Sequence, residues 1–527
     1  MSLRLHSRIA GGWAVLAAAC LLCLAAVWNG QPLLYPDTPT YLRGAEMGAG
    51  KALGGRVAPW LPAEPAPAAD APASTPQAAD AARPKGLTSV EDKVVLAGRS
   101  VYYGALLYAS HLAGSLWLTV ALQALCVAYL LQLLMVRLWG LGTRHLLGTV
   151  AALGLLTPLA AYTGFLMPDI FAGLGILAMA TLAAYWQRLG RADRIALSLL
   201  LLFGLCAHAS HVVIAAALLG VGLLARLSTR RWKHLPGAAF AVAGACIVAA
   251  VAAEWVFNQA VTRAVGAPPL RMPHPMARLV DMGPGTDYLR RNCPRAGYEA
   301  CAFLANYPTA WDDFLFSTDP NKGAFALADA AGKRRMAAEQ LRFVADVVRH
   351  DPAGVAAGVA ADVLRQLALF RVDIWGYGPR ELAMYEGRVP PSLYAGMRAS
   401  RGAYNPRYNQ WLSAATYLST AAAVLALLWW WRRASSAGAL SPAAEPRRFA
   451  DFLWITLAGI ALNALVCASL ASSADRFQAR VIWLLPFLAL SALALAYARR
   501  PTETTAAASP PPSLNPSSTT SLQGSAS

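Results

Sequence analysis

The chain reads as an all-α polytopic membrane protein, with about ten transmembrane helices and a periplasmic, mostly helical domain. Three observations predict this. Hydrophobic residues make up 57% of the 527 and charged residues only 14%, roughly half the charge of a soluble domain. Apolar runs recur at the ~20-residue length that crosses a bilayer core as a helix. Basic residues gather in alternate connections between those runs, which sets the orientation of the spans.

The first run, 9–28, follows Arg4 and Arg8. Its apolar stretch continues past Cys20 through Leu21, Leu22 and Cys23 to Trp28. A signal peptidase would therefore find no small-residue site followed by a polar start, and the segment reads as a signal anchor. The first periplasmic loop spans 29–111. Its middle, 57–88, is rich in Ala, Pro and Asp and reads as a disordered insertion. The flanks differ. Tyr35-Pro36-Asp37-Thr38-Pro39-Thr40-Tyr41-Leu42 precedes the insertion and Gly98-Arg99-Ser100-Val101-Tyr102-Tyr103-Gly104 follows it. Both are aromatic enough to lie in a membrane interface.

Transmembrane helices two to seven fill 112–256, as runs at 112–136, 146–166, 169–186, 194–209, 211–227 and 235–256. The periplasmic domain occupies 257–410. Its pattern predicts a helix from Arg334 to Arg349, ended by Asp351-Pro352, and a second from Gly354 to Phe370. Cys293 and Cys301 are the cysteines placed wholly outside the membrane, and an oxidising compartment predicts a disulfide between them. Helices eight to ten take 411–431, 450–471 and 478–497. A Ser/Thr/Pro/Ala tail, 498–527, reads as disordered and cytoplasmic.

This layout puts Arg137, Arg144, Arg188, Arg191, Arg194, Arg226, Arg230, Arg231, Arg432, Arg433, Arg447 and Arg448 on one side, with few acids among them. The expected place is a bacterial inner membrane, multi-pass, with both termini cytoplasmic. The net charge of +17 then reports topology, and a nucleic-acid partner is excluded. Membrane lipids are the surroundings.

Polar chemistry collects on the other face. Asp37 follows span one, Asp169 opens span four, His208 and His211 stand between spans five and six, and Arg476 and Arg480 stand at the start of span ten. Convergent polar groups at one membrane boundary point to an active or binding site. Each has a plainer alternative. Asp37 fits a proline-flanked turn, and Asp169 fits a helix N-cap. The histidines, three apart, suit either a shared metal or interfacial hydrogen bonds; no metal is assigned. The arginines suit either headgroup anchoring or a grip on a lipid-linked phosphate. Tyr41 and Arg99 join His208 and His211 as candidate substrate contacts.

The topology and the Asp37 segment resemble the C-type (GT-C) polytopic membrane glycosyltransferases of Gram-negative envelopes. The resemblance implies a polyprenyl-phosphate-linked sugar donor at the periplasmic face and a lipid or glycan acceptor. It implies a catalytic acid at Asp37, with Asp169 as the second acid. On this reading Asp37 takes the acceptor proton and Arg476 and Arg480 hold the lipid phosphate. Whether a divalent cation balances the leaving phosphate is open, and the chain contains no Walker A or G-x-G-x-x-G motif. The other class of reading is a non-catalytic transporter or assembly component for envelope polysaccharide.

Overall fold

The computed structural model describes residues 2–54, 92–228, 232–374, 377–401, 406–436 and 445–498. The expected insertion at 57–88 and the tail beyond 498 lie outside the described residues. Among those described, regular structure is helical, and β-pairing is limited to isolated bridges. Eight helices among the described residues are long and apolar enough to cross a membrane, which makes the chain an all-α multi-pass membrane protein.

In chain order the first helices are α1 (Ser2–Asn29), α2 (Thr38–Leu53), α3 (Val101–Leu112) and α4 (Trp117–Gln132). A single π-helical turn, Leu133–Leu138, prolongs α4, so that Trp117–Leu138 is one span of 22 residues. Next come α5 (Thr143–Leu156), α6 (Leu159–Gly164), α7 (Ile170–Tyr185), α8 (Arg191–Ala207), α9 (Ala209–Ser228) and α10 (Gly237–Val265). The long segment that follows carries α11 (His274–Met282), α12 (Pro284–Asn292), α13 (Trp311–Phe316), α14 (Ala330–His350), α15 (Pro352–Ala368), α16 (Pro379–Tyr385) and α17 (Pro391–Ala399). The bundle closes with α18 (Pro406–Ser436), α19 (Glu445–Leu470), α20 (Asp475–Ile482) and α21 (Leu484–Ala498).

One expected span is corrected. The run 146–166 is two helices, because Thr157 is extended (φ −139°, ψ 168°) ahead of Pro158. A residue before proline is pushed out of the helical region by the pyrrolidine ring. The 14-residue α5 stops there, and α6 lies buried within the bundle. Helix α8, at 17 residues, is also shorter than the ~20 residues that span a bilayer core.

Two glycines allow close crossings. A Cβ on Gly104 would stand 2.7 Å from the Tyr41 carbonyl oxygen, so α3 crosses α2 only because that position has no side chain. A Cβ on Gly173 of α7 would meet the Trp483 ring at 3.0 Å; the indole fills that space and is fully buried.

The long segment has a core of its own. Met276, Leu279 and Val280 of α11 pack with Leu289, Phe314, Phe325, Met336, Phe343 and Val347. Cys293 and Cys301 are joined in a disulfide within it. The predicted helices at 334–349 and 354–370 are α14 and α15, each displaced by a few residues. Asp329 accepts from the Gly332 amide and so starts α14 four residues before Arg334. Asp351 does the same for α15 through Gly354.

Candidate functional site

Short backbone contacts bring the candidate residues together at the face that carries the long segment. The Leu33 amide donates to the Gly164 carbonyl (2.9 Å), and the Leu166 amide donates to the Leu33 carbonyl (2.8 Å). That parallel bridge lays the turn holding Asp37 beside the turn holding Asp169. Leu270 is paired on both sides, donating to Val95 and accepting from Ala97 (both 2.7 Å). Ser100 then caps α3 through the amides of Tyr102 and Tyr103. Its hydroxyl donates to the Cys206 carbonyl at 2.6 Å, which sets Arg99 against the α8–α9 connection.

Arg476 and Arg480 are four apart on α20, so one helical face presents both guanidinium groups. Arg476 donates to Asp37 Oδ2 (2.7 Å) and to Asp169 Oδ2 (2.9 Å) and Oδ1 (3.3 Å). It also stacks 4.4 Å over the Tyr35 ring. Arg99 donates to Asp37 Oδ1. Arg480 reaches Asp169 Oδ1 (3.5 Å), Ser210 Oγ (3.3 Å) and Asn463 Oδ1 (2.9 Å). The cluster therefore alternates sign along the row Arg99, Asp37, Arg476, Asp169, Arg480.

Several of the open alternatives are now decided by contacts. Asp37 and Asp169 stand at helix N-cap positions, yet neither side chain caps an amide. Their carboxylates go to arginine instead. The headgroup-anchor reading of the arginines fails on burial: Arg480 is 0% exposed, and Arg476 is 17% exposed in its side chain. Arg480, expected to grip a phosphate, has its guanidinium on protein acceptors inside the bundle. Tyr41, expected to contact substrate, is fully buried and packs edge-on against Tyr103, 5.3 Å between ring centres.

Burial alone would raise the Asp37 carboxyl, but the charges and hydrogen bonds of Arg99 and Arg476 outweigh it and hold the group below its ordinary value. The acid is an anion at neutral pH and, in this pairing, a weak proton acceptor.

Two cavities flank the cluster. The larger, about 420 Å³, is lined by Arg99, His208, Glu254, Asn258 and Arg271 together with Val212, Val213, Val251, Trp255 and Phe257. It is polar beside the cluster and apolar along α9 and α10. The smaller, about 210 Å³, is lined by Tyr35, Tyr162, Asp169, Arg371, Asp373, Asp475 and Arg476. Asp37 is joined to the larger through Arg99 and to the smaller through Arg476, one arginine lining each.

The two histidines part company. His208 lines the larger cavity, and its Nδ1 accepts from the Ser210 amide (3.2 Å). His211 lines only a void of about 10 Å³, enough for about one water, with Nδ1 against the Gly204 carbonyl at 2.8 Å. Their ring centres are 5.1 Å apart. Among the described residues no group of three or more His, Cys, Asp or Glu side chains is arranged to hold a metal ion.

Two residues escaped the sequence reading. Asn463, inside α19, accepts from Arg480 and donates to the Phe477 carbonyl (2.7 Å) and Gln478 Oε1 (2.9 Å). Gln123, inside α4, donates to the carbonyls of Thr163 (2.8 Å) and Phe165 (2.9 Å) and accepts from the Tyr103 hydroxyl. A lone amide in an apolar span is costly unless it is paired, and that was the available signal for both. No known protein family matches the chain, and no curated protein or solved structure is similar to it.

Proposed function

We propose that the chain is a membrane glycosyltransferase of the C-type class, transferring a sugar from a polyprenyl phosphate to an envelope lipid or glycan. In this proposal it sits in a bacterial inner membrane with both termini cytoplasmic, and the cluster faces the periplasm. The observation that carries the reading is the pairing of Asp37: a carboxylate tied to two arginines, one lining an amphipathic cavity and the other a polar one.

The chemistry follows from competition for Arg99. A lipid-linked donor suits the larger cavity, with its chain along Val212, Val213 and Val251 and its phosphate beside Arg99, Arg271 and His208. A phosphate that takes Arg99 releases Asp37 Oδ1. The carboxylate loses one of the charges that depress its basicity and becomes a better proton acceptor. An acceptor hydroxyl that reaches the freed Oδ1 gives its proton to Asp37, and its oxygen bonds to the anomeric carbon. The bond from that carbon to the phosphate oxygen breaks, and polyprenyl phosphate leaves with the electron pair. Asp169, paired on both oxygens, holds Arg476 in position.

The non-catalytic reading, a transporter or an assembly component, has one observation in its favour. Both oxygens of each carboxylate are already paired, as in a clamp that only pins α2, α7 and α20 together. The decisive experiment offers lipid-linked sugars to the full chain in lipid nanodiscs and measures released polyprenyl phosphate. Release that vanishes in Asp37→Asn supports transfer. Surface glycan left unchanged when a deletion strain is complemented with Asp37→Asn ends the catalytic reading.

A further inference from the structure

Helix α15 buries two polar side chains, Asp362 and Gln366, beside the half-buried Val355, Val359 and Val363, and exposes mostly apolar ones. Its outward face is Ala353, Ala357, Ala360, Leu364, Leu367 and Ala368, with Arg365 the one charge among the exposed positions. A helix against water shows the opposite arrangement; α14, immediately before it, exposes Arg335, Arg342 and Arg349 as well as Leu341 and Val348 and buries Phe343 and Val347.

The polar side of α15 is held by α11 and by the connection before α20. Asp362 pairs with the buried Arg278, and its carbonyl accepts from Ser473 (3.1 Å). Gln366 exchanges hydrogen bonds with the Ala474 backbone, 2.9 Å each way. The C-terminal end reaches into the belt of spanning helices. The Tyr417 hydroxyl donates to the Ala368 carbonyl (2.8 Å), and the Val372 amide donates to Ser413 Oγ (2.9 Å). Both partners lie on α18, about two and three turns from its start, on a helix whose Trp411 and Leu418 are exposed. The C-terminal end of α15 is thus tied to a span-length helix with exposed apolar side chains.

We infer that α15 lies in the membrane interface on the long-segment side, with its Ala/Leu face against lipid acyl chains. An apolar face of this kind, flanked by a snorkelling arginine, is how an interfacial helix binds a bilayer. Arg365, exposed beside the C-terminal turn, is placed to reach headgroups. The inference does not depend on the function proposed above.

Collision measurements with a spin label test it. Ala360→Cys and Leu364→Cys are made singly in the full chain, with the six free cysteines replaced by alanine, and studied in phospholipid nanodiscs. Leu418→Cys on α18 and Leu341→Cys on α14 are the lipid and water references. Oxygen collisions exceeding those of water-soluble nickel chelate at 360 and 364, as at 418, are expected. The reverse order, as at 341, overturns the inference. Low collision rates with both reagents also overturn it, since a protein surface, a second copy included, would then cover the face. In the chain with its natural cysteines, Leu364→Asp is expected to lower the folded protein recovered from membranes and Leu341→Asp is not. Equal recovery of the two overturns the inference.

Discussion

Asp37 and Arg476 lie 439 residues apart in the chain, and their side chains meet at 2.7 Å. This pair joins the turn after the first span to the start of the last. Asp37→Asn keeps an oxygen acceptor but removes the charge that opposes Arg99 and Arg476. If the carboxylate is a proton acceptor, sugar transfer falls by about 10²–10⁴-fold and the amount of folded protein is unchanged. Released polyprenyl phosphate and size-exclusion profiles of the same preparations read the two quantities. A large loss of folded protein instead would mark Asp37 as a structural pin.

Arg480→Gln acts on a different quantity. The guanidinium is fully buried and bonded to Asp169, Ser210 and Asn463. Removing one partner of a buried ion pair leaves polar groups without compensation, at about 3–5 kcal/mol. The expected outcome is a lower melting temperature and poor recovery from detergent. Arg99→Gln, at a partly open cavity wall, should leave the melting temperature near that of the natural chain and weaken donor binding. A binding defect in Arg480→Gln without any thermal effect would reverse this assignment.

The membrane class and the candidate acids were legible because hydropathy and charge are local properties of the chain. Asp37, Asp169, Arg476 and Arg480 drew attention as ionisable groups near span ends. Their pairing was not legible, because it depends on the bridge between Leu33 and Phe165, a contact between segments that share no pattern. Nor was the split between His208 and His211. Their spacing puts both near one helix face, and only the packing of α8 against α9 turns one into the larger cavity and the other inward. The break before Pro158 was readable and was outweighed by the length of the apolar run. Helix α15 was readable, but not its burial of Asp362 and Gln366, since packing decides which side is inside.

The Cys293–Cys301 disulfide closes a loop with a sequence separation of 8. A bridge over so short a loop stabilises by about 2–3 kcal/mol through the unfolded chain. Cys301→Ala should therefore loosen the core around Met276 and Phe343 without altering the spans. Faster hydrogen exchange confined to 276–347 is the expected reading. Thiol labelling of denatured protein should increase after reduction, and no increase would remove the bridge.

His274 gives the long segment a pH dependence. Burial first, and the Arg99 charge second, push its imidazole down from 6.5 to about 4. A histidine held neutral in the fold is protonated earlier in the unfolded chain, so stability is complete above about pH 6.5 and is lost as pH falls towards about 4. His274 opens α11 and its ring lies 6.2 Å from that of Trp311, so the loss should appear in 276–347. Hydrogen exchange across that window is expected to quicken there on acidification, after correction for the intrinsic rate. His274→Gln, which does not titrate, should flatten the dependence. Because Arg99 supplies part of the shift, Arg99→Gln should move the midpoint upward, and a midpoint unchanged by it would show that burial alone sets the value.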